Sequence, residues 1–69
     1  MTYAKIQAIV KDAETKGKSL PLSGENENGE TVIVEGNANC YIITTIQKND
    51  WCRINEYYPD GTTTECYEK

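Results

Sequence analysis

The fold is decided by residues 51–69, which read WCRINEYYPDGTTTECYEK. Two runs rich in β-branched and aromatic residues flank Pro59-Asp60-Gly61, in which proline fixes φ early in the turn and glycine accepts a positive φ. This pattern predicts a β-hairpin with strands at about 51–58 and 62–68. If Tyr58 pairs with Thr62 across the three-residue loop, Ile54 lies opposite Cys66 and the two share one face of the hairpin.

Two further strands are expected upstream of this hairpin, at about 31–35 and 39–47, where β-branched residues again dominate. If residues 48–50 form a three-residue link, Ile46 pairs with Cys52. A two-residue turn at this link would instead move Tyr41 and Ile43 to the opposite face of the sheet.

An amphipathic helix is predicted for residues 3–16, where Tyr3, Ile6, Ile9, Val10 and Ala13 recur at three- and four-residue spacing. The following residues, 18–30, are polar and acidic and are expected to form a mobile connector. The sequence therefore predicts a single α+β domain, in which one helix packs on one face of a four-stranded antiparallel meander.

Odd-length loops would place all even-numbered strand positions on one face of the sheet. These positions are almost wholly apolar, so they are expected to receive the helix; they are Val32, Val34, Cys40, Ile42, Ile46, Cys52, Ile54 and Cys66.

The odd-numbered face would then lack a cover within the chain, and it gathers residue types that are enriched at binding hot spots. The residues predicted to bind a partner are Tyr41, Ile43, Trp51, Arg53, Tyr57 and Tyr67. The alternative is that these aromatic side chains stabilise the sheet by cross-strand pairing.

The 69 residues carry a net charge of −4, which is unevenly distributed: residues 1–18 carry +2 and residues 19–69 carry −6. This balance argues against nucleic-acid binding, which depends on neutralising phosphates, and favours a partner protein with a basic surface. The acidic rim predicted to steer such a partner consists of Glu25, Glu27, Glu30 and Glu35.

Catalysis and metal binding are not expected. The chain contains no histidine, and no serine or cysteine has a recognisable base beside it. Cys40, Cys52 and Cys66 are widely spaced and odd in number, which favours reduced, buried thiols over zinc ligands or a disulfide framework. No cofactor-binding motif, signal peptide or membrane-spanning run is recognised, so a cytoplasmic location is expected.

The function expected from these features is that of a small acidic, non-enzymatic module that binds a protein. Size and charge are analogous to those of phage and mobile-element inhibitors that block basic, nucleic-acid-binding host proteins. One alternative is a structural homodimer joined through the aromatic face. Another is a weak binder of nucleotides or other small ligands, with a base stacked on Trp51 or Tyr57 and a phosphate bound by Arg53.

Overall fold

A computed structural model of the protein describes residues 2–47 and 51–68. It begins with helix α1, Tyr3–Thr15, in which the Thr2 hydroxyl accepts a hydrogen bond from the Lys5 N–H at 3.3 Å and so caps the first turn. At the other end Gly17 adopts a φ of 78°, the left-handed conformation that commonly ends helices. The predicted helix is therefore present.

Five strands follow: β1 Leu22–Glu25, β2 Thr31–Asn37, β3 Cys40–Ile46, β4 Cys52–Tyr57 and β5 Thr63–Glu68. They form one antiparallel sheet in the order β1-β2-β3-β4-β5, so every strand neighbours the one before it in the chain. The molecule is thus the small α+β domain that the sequence predicts. The predicted number of four strands was too low, because it left out β1.

Strand β1 lies within residues 18–30, which the sequence predicted to be a connector. The connector closes into a tight turn after β1, because the Asn26 side-chain oxygen accepts hydrogen bonds at 3.0 Å from the N–H groups of Asn28 and Glu30. The Asn26 amide donates in turn to the Glu30 carboxylate at 2.9 Å. These local bonds satisfy the polar groups of the turn, and Leu22 anchors the strand against the core.

The pairing of β3, β4 and β5 follows the predicted register. Ile46 lies opposite Cys52, and Ile54 lies opposite Cys66. The Tyr58 N–H donates to the Thr62 carbonyl at 3.0 Å, and Gly61 adopts a φ of 90°. The link at residues 48–50 lies outside the described residues. The residues that flank it are paired, because the Gln47 N–H donates to the Trp51 carbonyl at 2.7 Å.

The turn between β2 and β3 differs from the prediction and reverses the assignment of faces. Asn37 pairs directly with Cys40, so the turn contains two residues, Ala38 and Asn39, and even positions of β2 share a face with odd positions of β3. Tyr41 and Ile43, which were predicted to bind a partner, lie in the core and are only 4% and 5% exposed. Their assignment to an uncovered face was wrong.

The same reversal corrects the predicted helix-binding face. Val32 and Val34 do pack beneath α1, as predicted. The other members of the even-numbered set lie on the opposite face of the sheet, because the two-residue turn shifts the alternation by one position; they are Cys40, Ile42, Ile46, Cys52, Ile54 and Cys66.

The core lies between α1 and the covered face of the sheet. Its buried cluster consists of Ile6, Val10, Val34, Tyr41 and Ile43, with Tyr3, Leu20, Leu22, Val32 and Tyr57 packed around it. The rings of Tyr3 and Tyr41 lie 5.2 Å apart, and the Tyr3 hydroxyl donates to the Ala38 carbonyl, which ties the start of the helix to the β2–β3 turn. Burial raises the pKa of Tyr41, with smaller contributions from Tyr3 and Glu14. No helix within the described residues is long and apolar enough to cross a membrane.

Candidate protein-binding face of the sheet

The face of the sheet that points away from α1 is the candidate site, and it is called the open face below. Cross-strand pairing brings its side chains into rows. One row runs from Ile33 through Thr44 and Ile54 to Cys66, and the next runs from Thr31 through Ile46 and Cys52 to Glu68. The apolar centre of the open face consists of Ile33, Cys40, Ile42, Ile46, Cys52, Ile54 and Cys66.

No described segment packs across this centre. The helix lies on the other side of the sheet, and Leu20, which precedes β1, also packs against the helix-side core. Ile33, Ile42 and Ile54 are half-buried by their neighbours in the sheet, and Ile46 is 39% exposed. Exposed apolar surface of this kind on a small protein is typical of an interaction site.

Carboxylates flank the apolar centre on both sides. Glu35 and Glu56 lie at one end of it, in the row that they share with Ile42, while Glu25 and Glu68 lie at the other end. None of the strand residues described on this face is a lysine or an arginine. The open face therefore combines an apolar centre with charges of one sign only.

Glu56 is the most firmly positioned of these carboxylates. The Thr64 hydroxyl donates to one of its oxygens at 2.8 Å, and the Cys40 thiol lies 4.0 Å from the other. Tyr58 lies beside this cluster. Its hydrogen bond with Cys40, followed by electrostatic interactions with Cys40 and Glu56, raises the pKa of the Tyr58 phenol. The phenol therefore remains neutral at physiological pH and adds no charge to the cluster.

The six residues predicted to bind a partner do not remain together on an uncovered surface. Besides the buried Tyr41 and Ile43, Tyr57 packs against the core. Trp51, Arg53 and Tyr67 lie farther along the covered face, where β4 and β5 contribute little to the core.

Those last three residues form an accessible corner. The rings of Trp51 and Tyr67 lie 6.3 Å apart at 78°, and these residues are 39% and 54% exposed. The Arg53 Nε lies 3.9 Å from a Glu65 oxygen, which is an ion-pair distance but too long for a hydrogen bond. The positive charge of Arg53 therefore already has a carboxylate beside it, and solvent partly screens their attraction.

The predicted acidic rim is divided between two places. Glu25 and Glu35 lie on the open face, whereas Glu27 and Glu30 belong to the turn after β1. Glu30 is half-buried and accepts a hydrogen bond from Asn26, so it has a structural role in that turn.

Sequence reasoning missed Glu56 and Glu68 as members of the acidic rim. Both occupy even positions of the C-terminal hairpin, in register with Ile42 and Cys52 respectively. The alternation of residues 52–68 places both glutamates on the same face as Cys52, Ile54 and Cys66. That face was predicted to be the core, because the prediction exchanged the open and covered faces. For the same reason the cysteines were expected to be buried, whereas Cys40 and Cys52 are half-buried and Cys66 is exposed, all three with free thiols.

Among the described residues no group of three side chains is arranged to hold a metal ion. No protein-family model, curated protein or solved structure matches this chain. The geometry and charge of its surfaces are therefore the basis for inferring a function.

Proposed function

We propose that this protein is a binding module that docks its open face onto a partner protein whose surface has an apolar centre and a basic rim. The observation that carries this proposal is the row formed by Glu35, Ile42 and Glu56, in which an uncovered aliphatic side chain lies between two carboxylates. The isoleucines supply apolar area, and the carboxylates orient a partner of opposite charge and accelerate its association.

The size of the open face favours an interface that includes its rim. Strands of four to seven residues at ordinary spacing give this five-stranded face a plan area of roughly 400 Å². One partner in a stable interface buries about 800 Å². The contact must therefore extend from the isoleucines onto the surrounding carboxylates, so the charge of the rim determines which partners fit.

A homodimer through the open face fits this requirement less well. Two copies packed face to face would bring only carboxylates to the shared rim, because the described strand residues of this face include no basic side chain. Like charges that are juxtaposed at an interface oppose association. The basic residues Lys5, Lys11 and Lys16 belong to α1 and the residue after it, on the other side of the molecule.

A narrower form of the proposal is that the partner is a nucleic-acid-binding protein of a host cell, and that this chain inhibits it as a phage or mobile-element product. The support is the acidic composition and the concentration of carboxylates on one face. Because the centre of that face is aliphatic, the partner would be bound through apolar contacts beside its nucleic-acid channel. Binding should therefore weaken with salt but persist at about 1 M, where exposed charges are screened beyond about 3 Å.

The test compares three sets of variants that leave the core intact: the isoleucines of the open face, its carboxylates Glu35 and Glu56, and the corner on the covered face. Ile42→Thr and Ile54→Thr reduce the apolar area of the open face, while Tyr67→Ala alters the accessible corner on the covered face. Proteins retained from a lysate by each immobilised variant are quantified by mass spectrometry, after circular dichroism has verified folding. We expect the same protein to bind wild type and Tyr67→Ala, to be lost with both isoleucine variants, and to bind more slowly to Glu35→Gln/Glu56→Gln.

Two other results would contradict the proposal. If wild type is a dimer by light scattering and Ile42→Thr is a monomer, the open face is a self-association surface. If nucleotides raise the unfolding temperature and Tyr67→Ala abolishes this shift, the corner formed by Trp51, Arg53 and Tyr67 is a small-ligand site.

A further inference from the structure

Strand β1 forms one edge of the sheet, and its backbone is available for pairing on its outer side. The Asn26 N–H donates to the Glu30 carbonyl, and hydrogen-bonded pairs alternate along an antiparallel ladder. Gly24 and Leu22 are therefore bonded inward to β2, whereas the backbone groups of Ser23 and Glu25 point outward. This edge offers two donors and two acceptors to an additional strand.

A groove of about 360 Å³ lies beside this edge, between β1 and α1. Its apolar lining comes from Ile9 of the helix and from Leu22, Val32 and Val34 of the sheet. Ile9 is 44% exposed, so part of this aliphatic side chain is accessible in the groove.

Gly24 is the reason that this groove is open. It lies opposite Val32 on the covered face of the sheet, where any other residue would direct a side chain beneath Ile9. A Cβ placed on Gly24 would meet no atom within 4 Å, and its φ lies outside the left-handed region. Neither backbone conformation nor close packing therefore requires glycine here.

We propose that the edge of β1 and this groove together bind an extended segment of a partner protein by strand addition. The segment pairs its backbone with Ser23 and Glu25 and places an aliphatic side chain in the groove beside Ile9 and Gly24. On the open face, its next side chain lies across from Glu25, so lysine or arginine is favoured at that position. The ligand is thus an extended peptide with alternating aliphatic and basic residues.

A second copy of this chain that paired through its own β1 does not fit the same role. Its own β1 would present Gly24, which has no side chain to fill the groove, and Leu22, which already packs against its own core. It would also add a second Glu25 to an edge that has no described basic strand residue. Charge complementarity therefore favours a basic segment of another protein.

This site is separate from the centre of the open face, and the two proposals can fail independently. The groove lies on the helix side of the sheet, so variants at Ile42 or Ile54 leave it unchanged. Conversely, filling the groove leaves the isoleucines of the open face exposed.

The experiment is a selection of ten-residue random peptides displayed on phage against the immobilised full chain. The central variant is Gly24→Val, which fills the groove with a residue of high β-propensity. Its matched control is Thr63→Val, which places valine on the same covered face but in β5, at the opposite edge of the sheet. Ile9→Ser alters the other wall of the groove, so the test does not depend on one variant folding.

We expect wild type and Thr63→Val to enrich peptides with alternating aliphatic and basic residues. Gly24→Val and Ile9→Ser should bind these peptides at least about tenfold more weakly, since the aliphatic side chain would lose its buried position. In the complex, hydrogen exchange at the Ser23 and Glu25 amides should slow. Enrichment of no such pattern, or equal binding to Gly24→Val, would overturn the proposal.

Discussion

Both faces of the sheet carry aliphatic side chains, but the two faces differ in what covers them. Strand β3 shows this best, because Tyr41, Ile43 and Thr45 are buried on one side while Ile42 and Ile46 remain accessible on the other. Isoleucine occurs on both faces, so hydrophobicity alone does not identify the core. What distinguishes the faces is the helix, which packs on one of them and leaves the aliphatic side chains of the other accessible.

The largest expected difference comes from truncating adjacent isoleucines of β3. Ile43→Ala removes a side chain from the core and should lower the free energy of unfolding by about 3 kcal/mol, within the range for buried aliphatic residues. Ile42→Ala removes the same atoms from the open face and should cost less than about 1.5 kcal/mol, because it leaves no enclosed cavity. Chemical denaturation of both variants measures the difference. Equal losses would mean that the open face is covered in solution.

The second comparison uses two glycines on the covered face. Gly36 adopts a φ of 98°, and a Cβ there would clash with the Cys40 carbonyl oxygen, so Gly36→Ala should cost about 2 kcal/mol or more. Gly24→Ala has neither problem and should be neutral or stabilising by about 0.5 kcal/mol. Thermal unfolding of the two variants checks the order. A stable Gly36→Ala variant would contradict the tight two-residue turn between β2 and β3.

That turn also explains how much of the fold was predictable. Within β3, β4 and β5, turn chemistry and odd loop lengths determined the register, and the pairs Ile46 with Cys52 and Ile54 with Cys66 were predicted. The sequence around Gly36 and Asn37 indicates a turn but fits two or three loop residues equally well. Because strand side chains alternate with a period of two, this one-residue difference exchanged the faces of the last three strands.

The candidate site was predictable only in part, for the same reason. Glu25 and Glu35 were identified from charge alone, but Glu56 was assigned to no site although it shares a row with Glu35. The aromatic residues were correctly grouped on one face of β3 to β5, yet that face is the one the helix covers. Strand β1 was missed because Ser23 and Gly24 have low β-propensity, and tertiary packing of Leu22 outweighs it.

A smaller effect is expected from removing one hydroxyl at the start of the helix. Tyr3→Phe eliminates the hydrogen bond to the Ala38 carbonyl and should cost about 1 kcal/mol, the usual net value of such a bond. The matched control is Tyr67→Phe, because the Tyr67 hydroxyl is 3.4 Å from Glu65 at an exposed site and contributes little. Denaturant unfolding of both variants provides the measurement. Similar losses would mean that the helix start is not tied to the β2–β3 turn.

The smallest effect concerns the turn between β4 and β5, which belongs to neither face. Hydrogen bonds from Thr62, first from its side chain and then from its backbone N–H at 2.9 Å, hold the pKa of Asp60 below its usual value of 3.8. A lowered pKa in the folded state means that the stabilisation is present above the unfolded pKa and is lost as the pH falls through the folded one. Asp60→Asn keeps an oxygen acceptor but does not titrate, so its stability should change less than that of wild type between about pH 5 and pH 2. Identical pH profiles would show that the Asp60 carboxylate does not stabilise the turn on which the register of β4 and β5 depends.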